Sequence, residues 1–129
     1  MGSKNRIFLG LISSHILHKI RNTFKKRVCM TDSTVKKIEE KHPPLDKEFI
    51  YSNNFQIVID NTLMIYYDDK DRVYNCLSKV DNKLFVYGLV SKNKRTEVST
   101  LFQTNPSQVK KNFKENKNII VLKEEFTTN

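Results

Sequence analysis

Residues 63–102 read LMIYYDDKDRVYNCLSKVDNKLFVYGLVSKNKRTEVSTLF. Four strand-length runs rich in β-branched and aromatic residues stand in it: Leu63–Tyr67, Arg72–Lys79, Leu84–Val90 and Thr96–Phe102. Asp81-Asn82 has the composition of a tight hairpin turn between the second and third runs, and Lys92-Asn93-Lys94 of the next turn. Connections this short make neighbouring strands antiparallel. The stretch therefore predicts a β-meander.

Outward from the meander the pattern turns helical. After it, Asn105-Pro106 supplies a cap followed by proline at the first helical position. Val109 and Phe113 form one stripe of that helix, Lys110, Lys114 and Lys117 another, and Ile119–Leu122 is a short last strand. Before it, residues 32–42 predict a short helix capped by Asp32 or Ser33, with Val35, Ile38 and His42 on one face and Pro43-Pro44 as the stop. Residues 46–60 fit a helix or, over Phe55–Ile59, a strand. Segment 6–26 predicts an amphipathic helix, because Leu9, Ile12, Ile16, Ile20 and Phe24 recur every three or four residues. Such a helix suits packing on the domain, an appended arm, or an interaction module anchored to a membrane or a partner, and packing or an arm is preferred because most apolar stripes are core. The expected class is α+β: N-terminal helices, then an antiparallel sheet of four to five strands with a basic helix near the C-terminus. The expected division is a basic helix or arm over 1–27 and a domain over 28–125.

At 129 residues the chain suits one domain with its own core. Net charge is +9. Residues 1–27 carry seven Lys or Arg and no acid; residues 28–91 carry eight basic and ten acidic residues; residues 92–129 carry eight and four. The positive charge thus sits at the two ends of the chain. That distribution suits capture of a phosphate polymer, although a solvated basic surface would look the same. Cys29 and Cys76 stand apart with no paired-cysteine spacing, so neither zinc nor a disulfide framework is expected. The apolar run Ile7–Ile12 is too short to span a bilayer and lacks a cleavage signature. Asp68-Asp69-Lys70-Asp71 lacks the glycine and distal glutamate of a calcium loop, and a polar turn explains it better.

From Val28 to about Glu125 these pieces resemble the phage- and toxin-associated nuclease domains of the barnase–EndoU–colicin–RelE superfamily. Related domains carry a His-Ile-x-x-x-His-Pro pattern on a short helix. Here the stretch is Lys37-Ile38-Glu39-Glu40-Lys41-His42-Pro43, with lysine in place of the first histidine. A helix follows in the family, which favours helix for 46–60. Then come a strand ending in lysine (Val73–Lys79), a hydrophobic strand (Leu84–Val90), a strand ending in threonine (Glu97-Val98-Ser99-Thr100), a basic helix (Gln108–Lys114) and a closing strand (Ile119–Glu124).

The resemblance implies a toxin-like endoribonuclease that needs no metal or cofactor and cleaves RNA, tRNA included, by 2′-hydroxyl attack. His42 would be the acid or base, Lys79 the charge stabiliser and Thr100 a phosphate contact. Lys37, Lys110, Lys111 and Lys114 would hold the RNA. Such a protein would act in the bacterial cytoplasm, come from a phage or mobile element, and meet an acidic immunity or antitoxin protein. Lys37 in the place of the first histidine supports the alternative of an inactive member that binds RNA or a partner. Each residue also has a plainer explanation. His42 can close a helix, Lys79 can be solvated beside a turn, Thr100 alternates with Val98 and Phe102 on a strand, and the lysines can face water. Tyr66, Tyr67, Tyr74 and Tyr87 can stack bases or fill the core. His15 and His18 belong to the surface.

Overall fold

In a computed structural model, residues 6–20, 24–41, 55–92, 94–114 and 119–121 are described. The side chains of Lys110, Asn112, Phe113, Lys114, Ile120 and Val121 are outside that description. The elements are β1 (Arg6–Leu11), α1 (Ser14–Leu17), β2 (Arg27–Thr31), α2 (Asp32–Lys41), α3 (Phe55–Asp60), β3 (Thr62–Asp68), β4 (Val73–Val80), β5 (Lys83–Lys92), β6 (Arg95–Thr104), α4 (Pro106–Lys114) and β7 (Ile119–Val121). The fold is α+β.

The meander forms as its composition dictates. Asp81 and Asn82 both take positive φ, 49° and 66°, the backbone that a two-residue hairpin needs and that Asp and Asn tolerate. They bring β4 and β5 together from Tyr74↔Leu89 to Val80↔Lys83. Lys94, at φ 62°, serves the next turn. In the 68–71 turn, the Asp68 carboxylate accepts from the amides of Lys70 and Asp71, which fixes the acidic run as a capped loop.

Two expectations need correction. Among the described residues the sheet has seven strands, in the order β1-β2-β6-β5-β4-β3-β7, and it is mixed, because β2 runs parallel to β6. The extra strands come from the N-terminal segment, which is not one helix. Arg6–Leu11 pairs antiparallel with β2, and helix is confined to four residues after the Ser13 cap. The apolar spacing still marks the core: Leu9, Ile12, Ile16, Ile20 and Phe24 are all buried in one cluster with Val28, Tyr87 and Val98. Strand, a single helical turn and coil bury them in turn, and tertiary pairing overrides the longer helical periodicity. The segment is therefore part of the sheet and its core, not an appendage.

The two sheet faces separate by alternation, interrupted by register shifts at Leu9, Leu63 and Ser99. One face carries Met30, Ile65, Cys76, Phe85, Tyr87, Val98 and Leu101 beneath Ile16 of α1, Val35 and Ile38 of α2, and Phe55, Val58 and Ile59 of α3. The Ser78 hydroxyl donates to the Val58 carbonyl and Thr62 to that of Ile59, both at 2.6 Å, while Thr62 also bonds Tyr87 Oη at 2.6 Å. The sheet is thus tied to α3. On the other face only α4 packs among the described helices, where Val109 joins Leu63, Met64, Leu77, Leu84 and Val86.

Candidate nucleic-acid interface

The face bearing α4 leaves its far corner open, and that corner is basic. Arg27, Cys29, Glu97 and Arg95 share this face by alternation with buried Val28, Thr96 and Val98. Phe8 stands directly opposite Cys29 across the β1–β2 pair. Together Arg6, Phe8, Lys25, Arg27, Cys29, Lys94 and Arg95 line a pocket of about 320 Å³.

Local structure holds each group in place. Thr96 Oγ1 accepts from the Lys25 amide at 2.6 Å and donates to its carbonyl at 2.9 Å, which pins Lys25 beside β6. The Ile12 amide donates to the Lys26 carbonyl at 2.9 Å. At the end of β1, the Gln56 side chain acts as a short piece of partner strand: Oε1 accepts from the Leu11 amide and Nε2 donates to the Leu11 carbonyl. A Cβ at residue 10 would lie 2.5 Å from Gln56 Oε1, so a larger residue there would push the Gln56 amide away from Leu11.

Charge in the pocket is one-sided. Arg6 pairs with the buried carboxylate of Glu97, Nε to Oε2 at 3.6 Å. Lys25, Arg27, Lys94 and Arg95 are exposed. The Arg27 guanidinium lies over the Phe8 ring, 4.4 Å from its centroid, yet Phe8 remains 49% exposed. The Cys29 thiol, half-buried, donates to the Thr96 carbonyl at 3.6 Å. Burial, with help from Glu97, pushes its pKa up, and the three arginines pull the other way with less effect.

The residues singled out from the sequence are not gathered here. His42 lies outside the described residues. Lys79 is exposed on β4, in register with Leu84 and Thr104. It lines a separate hollow with Asn82, Lys83, Gln103, Thr104, Asn105 and Pro106. Thr100 is half-buried opposite Gly88, on the same face as Lys79. Four residues along β6 and two strands across separate them, about 16 Å between Cα atoms.

Thr100 does not share a face with Val98 as expected. The register shifts between Gly88 and Leu89, so Ser99 is an extra residue that turns Val98 to the helix-covered face and Thr100 to the open one. Lys37 is exposed on α2, across the sheet from Lys79 and Thr100. Lys111 is exposed on α4, whereas the side chains of Lys110 and Lys114 are not described. Tyr74 and Tyr87 are core, and Tyr67 packs on Tyr74 at 4.7 Å. Tyr66, on the open face, is half-buried. His15 and His18 are exposed.

Sequence reasoning missed Arg6, Phe8, Arg27 and Arg95, the groups that do converge. Two period-2 stretches carried the signal: Arg6-Ile7-Phe8-Leu9 and Arg95-Thr96-Glu97-Val98 each put their first and third residues on one face. Among the described residues no group of three or more His, Cys, Asp or Glu is placed to hold a metal, and no helix is long and apolar enough to cross a membrane. Comparison of the chain with protein-family models, with curated proteins and with solved structures gives no match.

Proposed function

We propose that this chain binds RNA through the sheet face opposite α1, α2 and α3. The observation that carries the proposal is the convergence of Arg6, Lys25, Arg27, Lys94 and Arg95 on one corner of that face, with one buried carboxylate among them. Lys79 and Lys111 continue the positive charge towards α4. A phosphate polymer can lie along such a face, releasing counterions as it does so.

Metal-independent cleavage asks for more. His42, Lys79 and Thr100 would have to meet at one phosphodiester, and Lys79 and Thr100 are too far apart to do that. The lysine at residue 37, where the similar nucleases have a histidine, points the same way. Binding without cleavage is therefore the function adopted.

The experiment is to incubate purified protein with labelled RNA in EDTA and follow both retention and chain length. Intact RNA that is retained at low salt and released at high salt is expected. Cleavage to cyclic-phosphate ends that disappears in His42→Ala would replace binding by catalysis, and no retention would remove RNA from consideration.

A further inference from the structure

We propose that the corner pocket takes one unpaired nucleotide of the bound strand, its base against the Phe8–Arg27 platform and its phosphate among Lys25, Lys94 and Arg95. This rests on RNA binding at the same face and adds selectivity for single strands.

Charge alone would not need Phe8. A large apolar ring, 49% exposed, sits at the centre of a group of cations with one guanidinium already over it. Aromatic rings and arginine planes are the surfaces on which unpaired bases stack. The pocket, at about 320 Å³, has the size of a small-ligand site and no more.

Its polar groups divide by role. Arg6 is committed to Glu97, which steadies the floor of the pocket beside β6. Arg27 lies over the ring and keeps its charge exposed beside it. Lys25, Lys94 and Arg95 are exposed at the rim and supply the charge that a phosphate seeks. A base inside a duplex has both faces covered by its neighbours and cannot offer one to Phe8. An acidic peptide can meet the lysines and arginines but brings nothing to the ring.

The chain contains no tryptophan, so Phe8→Trp gives a single reporter in the pocket. That protein is titrated separately with a short single-stranded RNA, its blunt duplex, adenosine monophosphate, inorganic phosphate and a glutamate-rich peptide. Single-stranded RNA and the mononucleotide should quench the indole, while duplex, phosphate and peptide should leave it bright. In parallel, Phe8→Leu should weaken single-strand binding about ten-fold and leave duplex binding unchanged. Phe8 is half-exposed, so its loss does not empty the core, and an unaltered melting temperature verifies this.

If wild-type protein binds RNA but Phe8→Leu changes neither affinity nor strand preference, the nucleotide pocket is refuted while RNA binding stands. Quenching by the peptide equal to that by RNA refutes it too, since the pocket then reads charge alone. If wild-type protein binds no RNA, the functional proposal fails and takes this one with it.

Discussion

Neutralising Arg27 and Arg95 together should halve the salt dependence of RNA binding, and the structure fixes the expected size. Arg6 is taken by Glu97, which leaves Lys25, Arg27, Lys94 and Arg95 exposed to a phosphate chain. For a single strand, each neutralised phosphate contributes about 0.7 to the slope of log affinity against log salt, so these four cations give a slope of about −2.8. Between ~50 and ~200 mM salt, affinity should therefore fall about 50-fold in the wild type. With Arg27→Gln and Arg95→Gln combined, the slope should be about −1.4 and the fall only about 7-fold. The control is Lys36→Gln with Lys41→Gln, two exposed positions on α2, across the sheet from the pocket. Fluorescence anisotropy with an RNA of about five nucleotides, short enough to stay near one corner, measures the slopes. If the α2 pair lowers the slope as much as the pocket pair, the net charge of the molecule attracts RNA and the corner has no special part.

Three further outcomes follow from the core. Because Ile12, 1% exposed, packs in the main cluster with Val28, Tyr87 and Leu89, Ile12→Ala should cost about 2–5 kcal/mol in urea unfolding, and deleting residues 1–27 should abolish cooperative unfolding; a truncated chain that still melts sharply would restore the appended-arm view. Burial raises the Cys76 thiol to about 12 from an ordinary 9.0, so the folded state favours the neutral form, and stability present below pH 9 drains away as pH climbs towards 12. Between pH 8 and pH 10 the wild type should lose about 1.4 kcal/mol more than Cys76→Ala, read as the difference in urea midpoints at each pH, and equal losses would show that the thiol is not buried as described.

How much of this was legible in the sequence differs by region, for physical reasons. The strands of residues 63–102 and the helix after Asn105 could be read because local chemistry decides them: Asp81-Asn82 suits left-handed backbone, and Asn105 caps α4 by accepting the Gln108 amide. Segment 6–26 could not be read in the same way. Its apolar residues satisfy helical spacing, and that spacing correctly marks burial of Leu9, Ile12, Ile16, Ile20 and Phe24. What makes Arg6–Leu11 a strand is β2, and the Gln56 side chain that closes its last residue comes from forty-five positions away. No local pattern contains that partner. The bulge at Ser99 was equally hidden, since it depends on Gly88 in the facing strand, where a Cβ would press on Ser99 Oγ at 2.8 Å.

The site follows from that same long-range pairing. In the sequence the positive charge sits at the two chain ends, with a slightly acidic stretch between them. A polymer of like charges would keep those ends apart. The short parallel pairing of β2 with β6, Val28↔Thr96 and Cys29↔Glu97, brings them side by side. Arg6, Lys25 and Arg27 come from one end, Lys94 and Arg95 from the other, and they meet around Cys29. The buried Glu97 carboxylate, paired with Arg6 at 3.6 Å, is the charge in the described pocket that opposes this crowding. Like charges gathered on a folded surface cost stability, and a bound polyanion removes that cost. The pairing that completes the sheet therefore also gathers the charge on which the proposed RNA binding rests, and neither end of the chain holds that charge alone.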